Sequence, residues 1–189
     1  GKPEYLDPRV KFILGDVRNR SDLEEALKDI DAIIHLAAYQ DYMTDFSRFF
    51  DINAVGTALI YELIVANNLP IRKIVIASSQ AVYGEGPYTC VNSDCRESAV
   101  IWPSVRSEAQ LERGQWDIRC TQCNDVLQSI EAAESAVNPG NSYAISKYTQ
   151  EMIGFTLGKR YGIPTVAMRY SIVQGPRQSF SNAYSGACR

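Results

Sequence analysis

The fold class is decided by a short apolar stretch, Ala32-Ile33-Ile34-His35-Leu36. A continuous apolar run of this length is typical of a parallel strand that is covered on both faces. On either side of this stretch, strand-like and helix-like patterns alternate along the chain. The alternation predicts an α/β fold with a doubly wound parallel sheet of the Rossmann type.

Hydrophobic periodicity and capping residues place the neighbouring elements. Residues 10–14 form a short β-type run, and a capping box at Ser21-Asp22-Leu23-Glu24 predicts a helix through about Lys28. From Phe49 to Leu63, apolar residues recur near the 3.6-residue period of a helix. The remaining predicted elements are strands at 74–77 and 164–169 and a helix that begins at Ser142 and ends near residue 160.

Residues 88–137 do not follow this alternation. They contain both tryptophans and four of the five cysteines, and turn-forming sequences at 84–87 and 138–140 flank them. We therefore expect a core domain of residues 1–87 and 138–189, and a cysteine-rich insertion of residues 88–137.

Composition limits the classes of partner. The chain has 46% hydrophobic and 22% charged residues, and its 19 basic and 22 acidic residues give a net charge of −3. This balance offers no electrostatic basis for binding nucleic acid or an anionic membrane. The strongly apolar runs have the length of strands and are too short to span a bilayer. No charged-then-apolar leader opens the chain, so we expect a cytoplasmic protein that binds neither nucleic acid nor membrane.

One candidate catalytic pair stands at the predicted start of the last helix. Tyr143 and Lys147 are four residues apart, which places both side chains on one helical face. An ammonium group near a phenol favours the phenolate and lowers the tyrosine pKa toward the range of a general base. The spacing alone also occurs by chance in helices, where it would be a surface pair.

The context of this pair carries a family resemblance. Ser79 directly follows a buried strand, and ligands of open α/β sheets gather at the carboxyl ends of strands. The segment that begins at Ser79 and five other segments together resemble the NAD-dependent epimerase/dehydratase family. This family is the extended branch of the short-chain dehydrogenase/reductases. In order, the six segments are 15–17, 35–38, 53–57, 79–84, 143–147, and 169–170 with 175–176.

The resemblance implies NAD as cofactor, a nucleotide sugar as substrate and a homodimer in the full-length protein. The implied catalytic residues are Ser79, Tyr143 and Lys147. The implied cofactor-binding residues are Asp16 and Val17 at the adenine, Ala37, Ala38 and Tyr39 at the pyrophosphate and ribose, and Tyr143 and Lys147 at the nicotinamide ribose. Asn53 and His35 would have supporting, structural roles.

The segment that contains Ser79 also bears on the reaction. Dehydratases of this family usually carry an Asp-Glu pair where this chain has Gln80 and Ala81, which cannot do that acid–base work. We therefore expect an isomerase that epimerises C4 through a transient 4-keto sugar. The alternatives are a nucleotide-sugar reductase or dehydratase of the same family, and a non-catalytic NAD-fold binding protein. Ile172 replaces an asparagine that contacts the nucleotide diphosphate in many relatives.

The cysteines of the insertion have the spacing of metal ligands. Cys90 and Cys95 form one pair, and Cys120 and Cys123 form a second. In a cytosolic protein, two such pairs predict a tetrahedral structural zinc site, with free thiols and disulfides as alternatives. Similar insertions occur in a subset that resembles dTDP-L-rhamnose 4-epimerases. Cys188 stands alone.

The resemblance also implies parts that this sequence does not contain. No G-x-x-G-x-x-G turn, which would cradle the NAD pyrophosphate, occurs in the 189 residues. We expect that turn before Gly1 and a smaller substrate-binding domain after Arg189. Residues 1–189, taken alone, should neither hold NAD well nor turn over substrate.

Overall fold

The computed structural model of the chain describes residues 2–41, 43–95 and 99–178. They divide into two units: the described residues of Gly1–Ser79 and Asn141–Arg189 form the core unit, and those of Gln80–Gly140 form the cysteine unit. The core-unit elements are α1 (Arg20–Ala26), β1 (Ala32–His35), α2 (Phe46–Phe49), a π-helical segment (Phe50–Val55), α3 (Gly56–Ala66), β2 (Lys73–Ser79), α5 (Ser142–Tyr161) and β5 (Thr165–Tyr170). The cysteine-unit elements are a 3-10 turn (Gln80–Tyr83), β3 (Tyr88–Thr89), α4 (Glu108–Glu112) and β4 (Gln128–Ser129).

The core unit is built on a parallel sheet. Its strand order is β1-β2-β5, and both neighbouring pairs are parallel. Ile33 of β1 lies opposite Ile74 of β2, and Ile76 of β2 lies opposite Ala167 of β5. The predicted α/β fold with a parallel sheet is therefore confirmed.

Helices cover one face of this sheet. Ile74 and Ile76 of β2 are buried in one apolar cluster with residues of α1 and α3. Helix α5 comes close to β2 at Gly154, where a Cβ atom would lie 2.5 Å from Cδ1 of Ile76. The opposite face is open in the described part of the chain, since Ile34 of β1 is 71% exposed. The expectation that the other face of this strand is also covered stays a prediction.

Two local expectations near the amino terminus also differ from the structure. Residues 10–14 form no strand, because no described segment pairs with them. Helix α1 begins two residues earlier than the capping box predicted, at Arg20 rather than Asp22. Its N-cap is Asn19, whose side chain accepts hydrogen bonds from the backbone amides of Ser21 and Asp22.

The helix predicted from Phe49 to Leu63 is present but carries a π-helical segment. An i→i+5 turn holds one extra residue and shifts the phase of the apolar face. Val55, which the period placed on the buried face, is 54% exposed, whereas Asn53 and Thr57 are buried. The continuous helix Phe46–Ala66 is long and apolar enough to cross a membrane by length and composition, whereas the sequence predicted only shorter apolar runs. Half of its most apolar 18-residue segment is buried in the core.

The cysteine unit has a small core of its own. Strands β3 and β4 form a two-stranded antiparallel sheet, with Tyr88 opposite Ser129. Helix α4 begins at the N-cap Ser107, which accepts a hydrogen bond from the backbone amide of Gln110. The buried cluster of this unit consists of Ile118, Cys120 and Leu127.

Candidate functional site

Ser79 and Tyr143 meet at the carboxyl end of the sheet. Ser79 is the last residue of β2, and Tyr143 lies in the first turn of α5. The helix begins there because the side chain of Asn141 accepts a hydrogen bond from the backbone amide of Ala144 at 2.8 Å. Ser79 and Tyr143 are joined by a side-chain hydrogen bond. A substrate hydroxyl group can form hydrogen bonds with both side chains of such a pair.

Lys147 lies one turn further along the same helix and is 2% exposed. Its Nζ atom donates a hydrogen bond to Oε1 of Gln150 at 2.7 Å. Burial lowers the pKa of Lys147 to about 8, because the charged form loses its hydration, and the negative charge of Glu151 opposes the shift. The structure thus holds a desolvated ammonium group on the helix that carries Tyr143.

The pKa of Tyr143 differs in direction from the expectation. Burial raises this pKa above its usual value, and the hydrogen bond with Ser79 opposes the rise. A neighbouring ammonium was expected to lower it. The physical reason for the difference is that desolvation of the half-buried phenol dominates, while the ammonium of Lys147 is directed to Gln150.

Asn53 connects the helices and the loop that surround this pair. Its Oδ1 atom accepts from the backbone amide of Tyr39 at 2.7 Å, and its Nδ2 atom donates to the backbone carbonyl of Tyr39 at 3.0 Å. The same Nδ2 atom donates to Oγ of Ser146 at 2.8 Å, and Ser146 donates to the carbonyl of Tyr143. The π-helical segment that contains Asn53 thereby fixes the loop after β1 to the start of α5, which is the supporting role expected for Asn53.

The predicted cofactor-binding residues occupy two nearby stretches of loop. Ala37, Ala38 and Tyr39 follow β1 at the carboxyl end of the sheet, where open α/β sheets bind dinucleotides. The Tyr39 hydroxyl donates to Asp45 at 2.8 Å, and its ring packs edge-on against Phe49 with centroids 4.9 Å apart. This loop is therefore held by both its backbone and its side chain.

Asp16 and Val17 lie in the second stretch, between residues 10–14 and α1. Arg18 donates to the Asp16 carboxylate and holds the pKa of that group at about 2. Val17 packs so tightly on Gly56 that a Cβ atom there would lie 2.9 Å from Cγ2 of Val17. Gly56 therefore permits the close approach of α3 to this loop.

His35 is buried and its Nε2 atom lies 3.0 Å from Oγ1 of Thr57. Burial lowers the pKa of His35 to about 4, and the charge of Lys147 acts in the same direction. His35 is thus neutral near pH 7 and contributes to packing and hydrogen bonding, as expected.

A buried ion pair beside the site was not expected. Arg169 of β5 makes a two-point contact with Glu151 of α5, with Nε and Nη2 each 2.9 Å from a carboxylate oxygen. Ser78 of β2 also donates to Glu151. Ile172, which follows β5, is exposed. The ion pair joins α5 to β5, and the hydrogen bond from Ser78 joins α5 to β2.

The four cysteines of the insertion converge. Sγ of Cys90 lies 3.5 Å from Sγ of Cys123, and Sγ of Cys95 lies 3.7 Å from Sγ of Cys120. All four sulfur atoms lie within 4.8 Å of one another, and none of these four cysteines forms a disulfide. A tetrahedral zinc ion with bonds of about 2.3 Å separates its sulfur ligands by roughly 3.8 Å, so this cluster has a suitable size.

Backbone amides are also directed at these sulfur atoms. The amides of Gln122 and Cys123 donate to Cys120, which lowers the pKa of that thiol to about 7. The amides of Asn92 and Asp125 donate to Cys90 and Cys123 and act to lower the pKa of each thiol, but burial and the neighbouring thiols outweigh them, so both pKa values are raised. Amide donors favour the thiolate form, which is the form that binds metal. Cys188 lies outside the described residues.

Sequence patterns missed Gln150, Thr57 and the pair Glu151–Arg169. The available signal was weak, because the buried face of α5 is polar and small rather than apolar. It consists of Ala144, Ser146, Lys147, Gln150, Glu151, Gly154 and Gly158. The spacing of Lys147, Gln150 and Glu151 places them on one face, and that spacing was the only indication of a polar buried stripe.

Comparison with known proteins gives a family match over most of the chain. Residues 1–103 and 122–187 match the model of the "NAD dependent epimerase/dehydratase family". The chain is similar to a dTDP-L-rhamnose 4-epimerase from Burkholderia thailandensis, with 29% identity over 190 residues that cover 98% of this chain and 50% of that enzyme. The chain thus spans about half the length of this relative.

Solved structures show the same fold. A UDP-glucuronic acid 4-epimerase from Bacillus cereus, in complex with NAD, has 26% identity and a TM-score of 0.58, with 92% of this chain and 42% of that chain covered. A UDP-glucose 4-epimerase from Thermus thermophilus, also with NAD, has 22% identity and a TM-score of 0.65, with 98% and 48% covered. The second likeness is one of fold alone.

Proposed function

Because this chain belongs to the NAD-dependent epimerase/dehydratase family, we propose that it carries the catalytic residues of an NAD-dependent nucleotide-sugar 4-epimerase. The observation that carries the proposal is the hydrogen-bonded pair of Ser79 and Tyr143 with the buried ammonium of Lys147 one turn away. The names of the relatives, which are 4-epimerases acting on dTDP-L-rhamnose and UDP sugars, support this choice.

The residues present fit a dinucleotide. A buried ammonium, a tyrosine and a serine stand at or beside the carboxyl ends of parallel strands, and a glycine at 56 lets α3 approach the loop at Asp16 and Val17. We propose that Asp16 and Val17 meet the adenine, and that Ala37, Ala38 and Tyr39 line the pyrophosphate and ribose. NAD, when bound, supplies the acceptor and donor of the hydride.

The proton transfers then fall to Tyr143. Its phenolate takes the proton of the sugar 4-hydroxyl while C4 is oxidised, and its phenol returns the proton when the 4-keto sugar is reduced on the opposite face. Ser79 donates to or accepts from the same hydroxyl and orients it. Burial raises the pKa of Tyr143, and we propose that the positive charge of Lys147, one turn further along the same helix, favours the phenolate during turnover.

Gln80 and Ala81 favour epimerisation over dehydration. Elimination of water across two carbons needs an acid and a base in addition to the tyrosine, and neither an amide nor a methyl group supplies them. A 4-epimerase needs only Tyr143 and a cofactor that stays bound.

The test is incubation of the full-length protein with dTDP-L-rhamnose, UDP-glucose and UDP-glucuronic acid in turn. We expect the C4 epimer of at least one of these sugars, with no accumulation of a 4-keto-6-deoxy sugar from dTDP-glucose. Accumulation of that product would identify a dehydratase, and retained NAD without turnover of any nucleotide sugar would favour a non-catalytic binding protein.

We also propose that residues 88–137 form an insertion held by one structural zinc ion. Four cysteines that form no disulfide, with sulfur atoms within 4.8 Å of one another and backbone amides directed at three of them, support a tetrahedral thiolate site. Four thiolates leave no position for substrate, so the ion would stabilise the fold and take no part in catalysis.

Elemental analysis of full-length protein purified without chelator tests this second proposal. We expect one zinc per chain in the wild type and a large loss of zinc in Cys120→Ser. Ser107→Ala, which removes only a helix cap in the same unit, is the matched control and should keep its zinc. A metal-free wild type with four free thiols, or with disulfides, would contradict the proposal.

We further propose a homodimer in the cytoplasm. An apolar stripe on α5 supports it, with Ile145, Tyr148, Met152 and Phe155 at helical spacing and three of the four exposed. Light scattering of the full-length protein should give the mass of a dimer, and Met152→Glu should reduce it to that of a monomer.

Cell fractionation should find the protein in the soluble fraction, since the apolar helix Phe46–Ala66 is half-buried in the core. A monomeric wild type or a membrane-bound fraction would refute the respective part.

A further inference from the structure

The buried ammonium of Lys147 has an unusual partner, the neutral side chain of Gln150. Oε1 of Gln150 accepts from Nζ of Lys147 at 2.7 Å, and Gln150 itself is 0% exposed. The charge of Glu151 on the same helix acts to raise the pKa of Lys147, and the charge of Lys147 in turn lowers the pKa of His35 on β1. Glu151 is itself engaged by Arg169 of β5.

The orientation of the Gln150 amide is fixed by its neighbours. An ammonium can only donate hydrogen bonds, so the atom that faces Lys147 must be the carbonyl oxygen. The amide nitrogen then faces Oγ1 of Thr57, at 2.8 Å. Rotation of the amide by half a turn would place its NH₂ group against the ammonium and its oxygen against Thr57.

Thr57 can accept this hydrogen bond because its own hydroxyl proton is donated to another group. Its hydroxyl donates to the backbone carbonyl of Asn53 at 2.6 Å. The two lone pairs of the hydroxyl oxygen remain for Gln150 and for His35, whose Nε2 atom lies 3.0 Å away. His35 is therefore the neutral tautomer with a proton on Nε2, and a continuous row of hydrogen bonds runs from His35 to Lys147.

We propose that Gln150 is a positioning residue that holds the Lys147 ammonium in its charged form and directs its other two N–H bonds into the site. The inference rests on the proposed function for its effect on turnover, but the hold on Lys147 is a property of the protein itself. Three donors belong to an ammonium, and one is satisfied by Gln150. The other two N–H donors remain for hydrogen bonds with other groups in the site.

The charged form needs such an acceptor. Burial already lowers the pKa of Lys147 to about 8, and a buried ammonium without a nearby acceptor loses its proton more readily still. A neutral acceptor stabilises the charge without cancelling it. Lys147 therefore keeps a net positive charge beside Gln150, which a directly paired carboxylate would neutralise.

The experiment follows the titration of Lys147 in the substrate-free, full-length protein by NMR of lysine labelled with ¹³C at the ε carbon. The Lys147 signal is assigned by its absence in Lys147→Met. Gln150→Met keeps the length of the side chain and removes the strong acceptor, and we expect the titration midpoint to fall by about one pH unit or more. Gln150→Glu keeps an acceptor and adds charge, and we expect the midpoint to rise above that of the wild type. Thr149→Val, a neighbour whose hydroxyl bonds only to the helix backbone, is the control and should leave it unchanged.

Turnover gives the second readout. At pH 7 we expect kcat of Gln150→Met to fall about tenfold with KM for the nucleotide sugar unchanged, and the fall of kcat at high pH to begin at a lower pH. Equal midpoints of Lys147 in wild type, Gln150→Met and Gln150→Glu would overturn the proposal, even if the variants were less stable. A wild type that has no epimerase activity but shows the expected titration midpoints of Lys147 would refute the proposed function. It would still support the proposal that Gln150 stabilises the charged form of Lys147.

Discussion

The two units of the chain are held together in different ways. The core unit has ten residues in its buried apolar cluster, drawn from helices and strands far apart in sequence, whereas the cysteine unit has three, one of which is a cysteine. A cluster of three residues is too small to stabilise a unit of this length, and small units of this kind usually need a cross-link or a metal. One unit is therefore stabilised by apolar burial, whereas for the other we propose a metal ion bound by its four converging sulfur atoms.

The core unit also buries polar side chains. Beside the apolar cluster, α5 buries Lys147, Gln150 and Glu151, and each of the three has a hydrogen-bond or ion-pair partner. Burial of such groups is costly unless they are paired. The surrounding apolar packing offsets that cost, and it lets the core unit hold polar groups at fixed positions.

Metal removal should separate the units most strongly. We expect chelation to abolish protection from hydrogen exchange in the described parts of residues 88–137, because the free energy of binding at a structural zinc site, roughly 10–16 kcal/mol in isolated peptides, is also folding energy. Protection of α5 should not change. Equal protection of the insertion with and without chelator would mean that its small core suffices without metal.

Loss of the Tyr143 hydroxyl should have the largest effect on chemistry. In the full-length protein, Tyr143→Phe should lower turnover at least about a hundredfold, the usual scale for a lost general acid–base group. Bound NAD and zinc should both remain, since neither the fold of the core nor the cysteine cluster depends on the phenol. A Phe variant that epimerises at a rate near that of the wild type would show that another group transfers the proton.

Acid should weaken the core through His35. The pKa of this group is about 4 in the folded chain against an ordinary value of 6.5. Below pH 6.5 the unfolded chain binds a proton that the folded chain does not, so this contribution to stability is complete above 6.5 and is lost as the pH falls through 4.

We expect the loss between pH 7 and about pH 4.5 to be about 2–3 kcal/mol. His35→Gln should remove that part of the pH dependence from the free energy of unfolding measured with urea. A variant with the same pH dependence as the wild type would show that His35 already binds its proton in the folded state.

A single methyl group should distinguish the tight packing of the core from open positions in the cysteine unit. A Cβ atom at Gly158 of α5 would lie 2.7 Å from the carbonyl oxygen of Ile163, whereas one at Gly140 would meet nothing within 4 Å. We expect Gly158→Ala to destabilise the core by about 1–3 kcal/mol despite the better helix propensity of alanine. Gly140→Ala should have almost no effect, and thermal unfolding of both variants checks the difference.

The fold followed from sequence where apolar runs and turns were regular. The parallel strands and the long last helix lay close to their predicted bounds, because buried strands such as residues 74–77 leave a continuous apolar signal. The π-helical segment could not be predicted, since its extra residue breaks the 3.6-residue period. Residues 10–14 have the composition of a strand, but a strand also needs a partner, and composition does not supply one.

The site was predictable in part for a similar reason. Tyr143, Lys147 and Ser79 were predicted by spacing and context, and the structure brings Ser79 and Tyr143 into hydrogen-bond contact, while their catalytic roles stay a prediction. Gln150 and Thr57 were missed because their role depends on which helix face is buried. The buried face of α5 is polar, and Ile145 and Met152 lie exposed, so hydrophobicity indicates the wrong face.

The most direct test of the account uses a nucleotide sugar that carries deuterium at C4, supplied to the full-length protein in ordinary water. If Tyr143 moves only the hydroxyl proton while C4 gives its hydrogen to the bound cofactor and takes the same one back, the epimer should keep its deuterium at C4. Turnover with loss of the label to solvent would contradict the proposed chemistry, because the hydrogen of C4 would then have left as a proton.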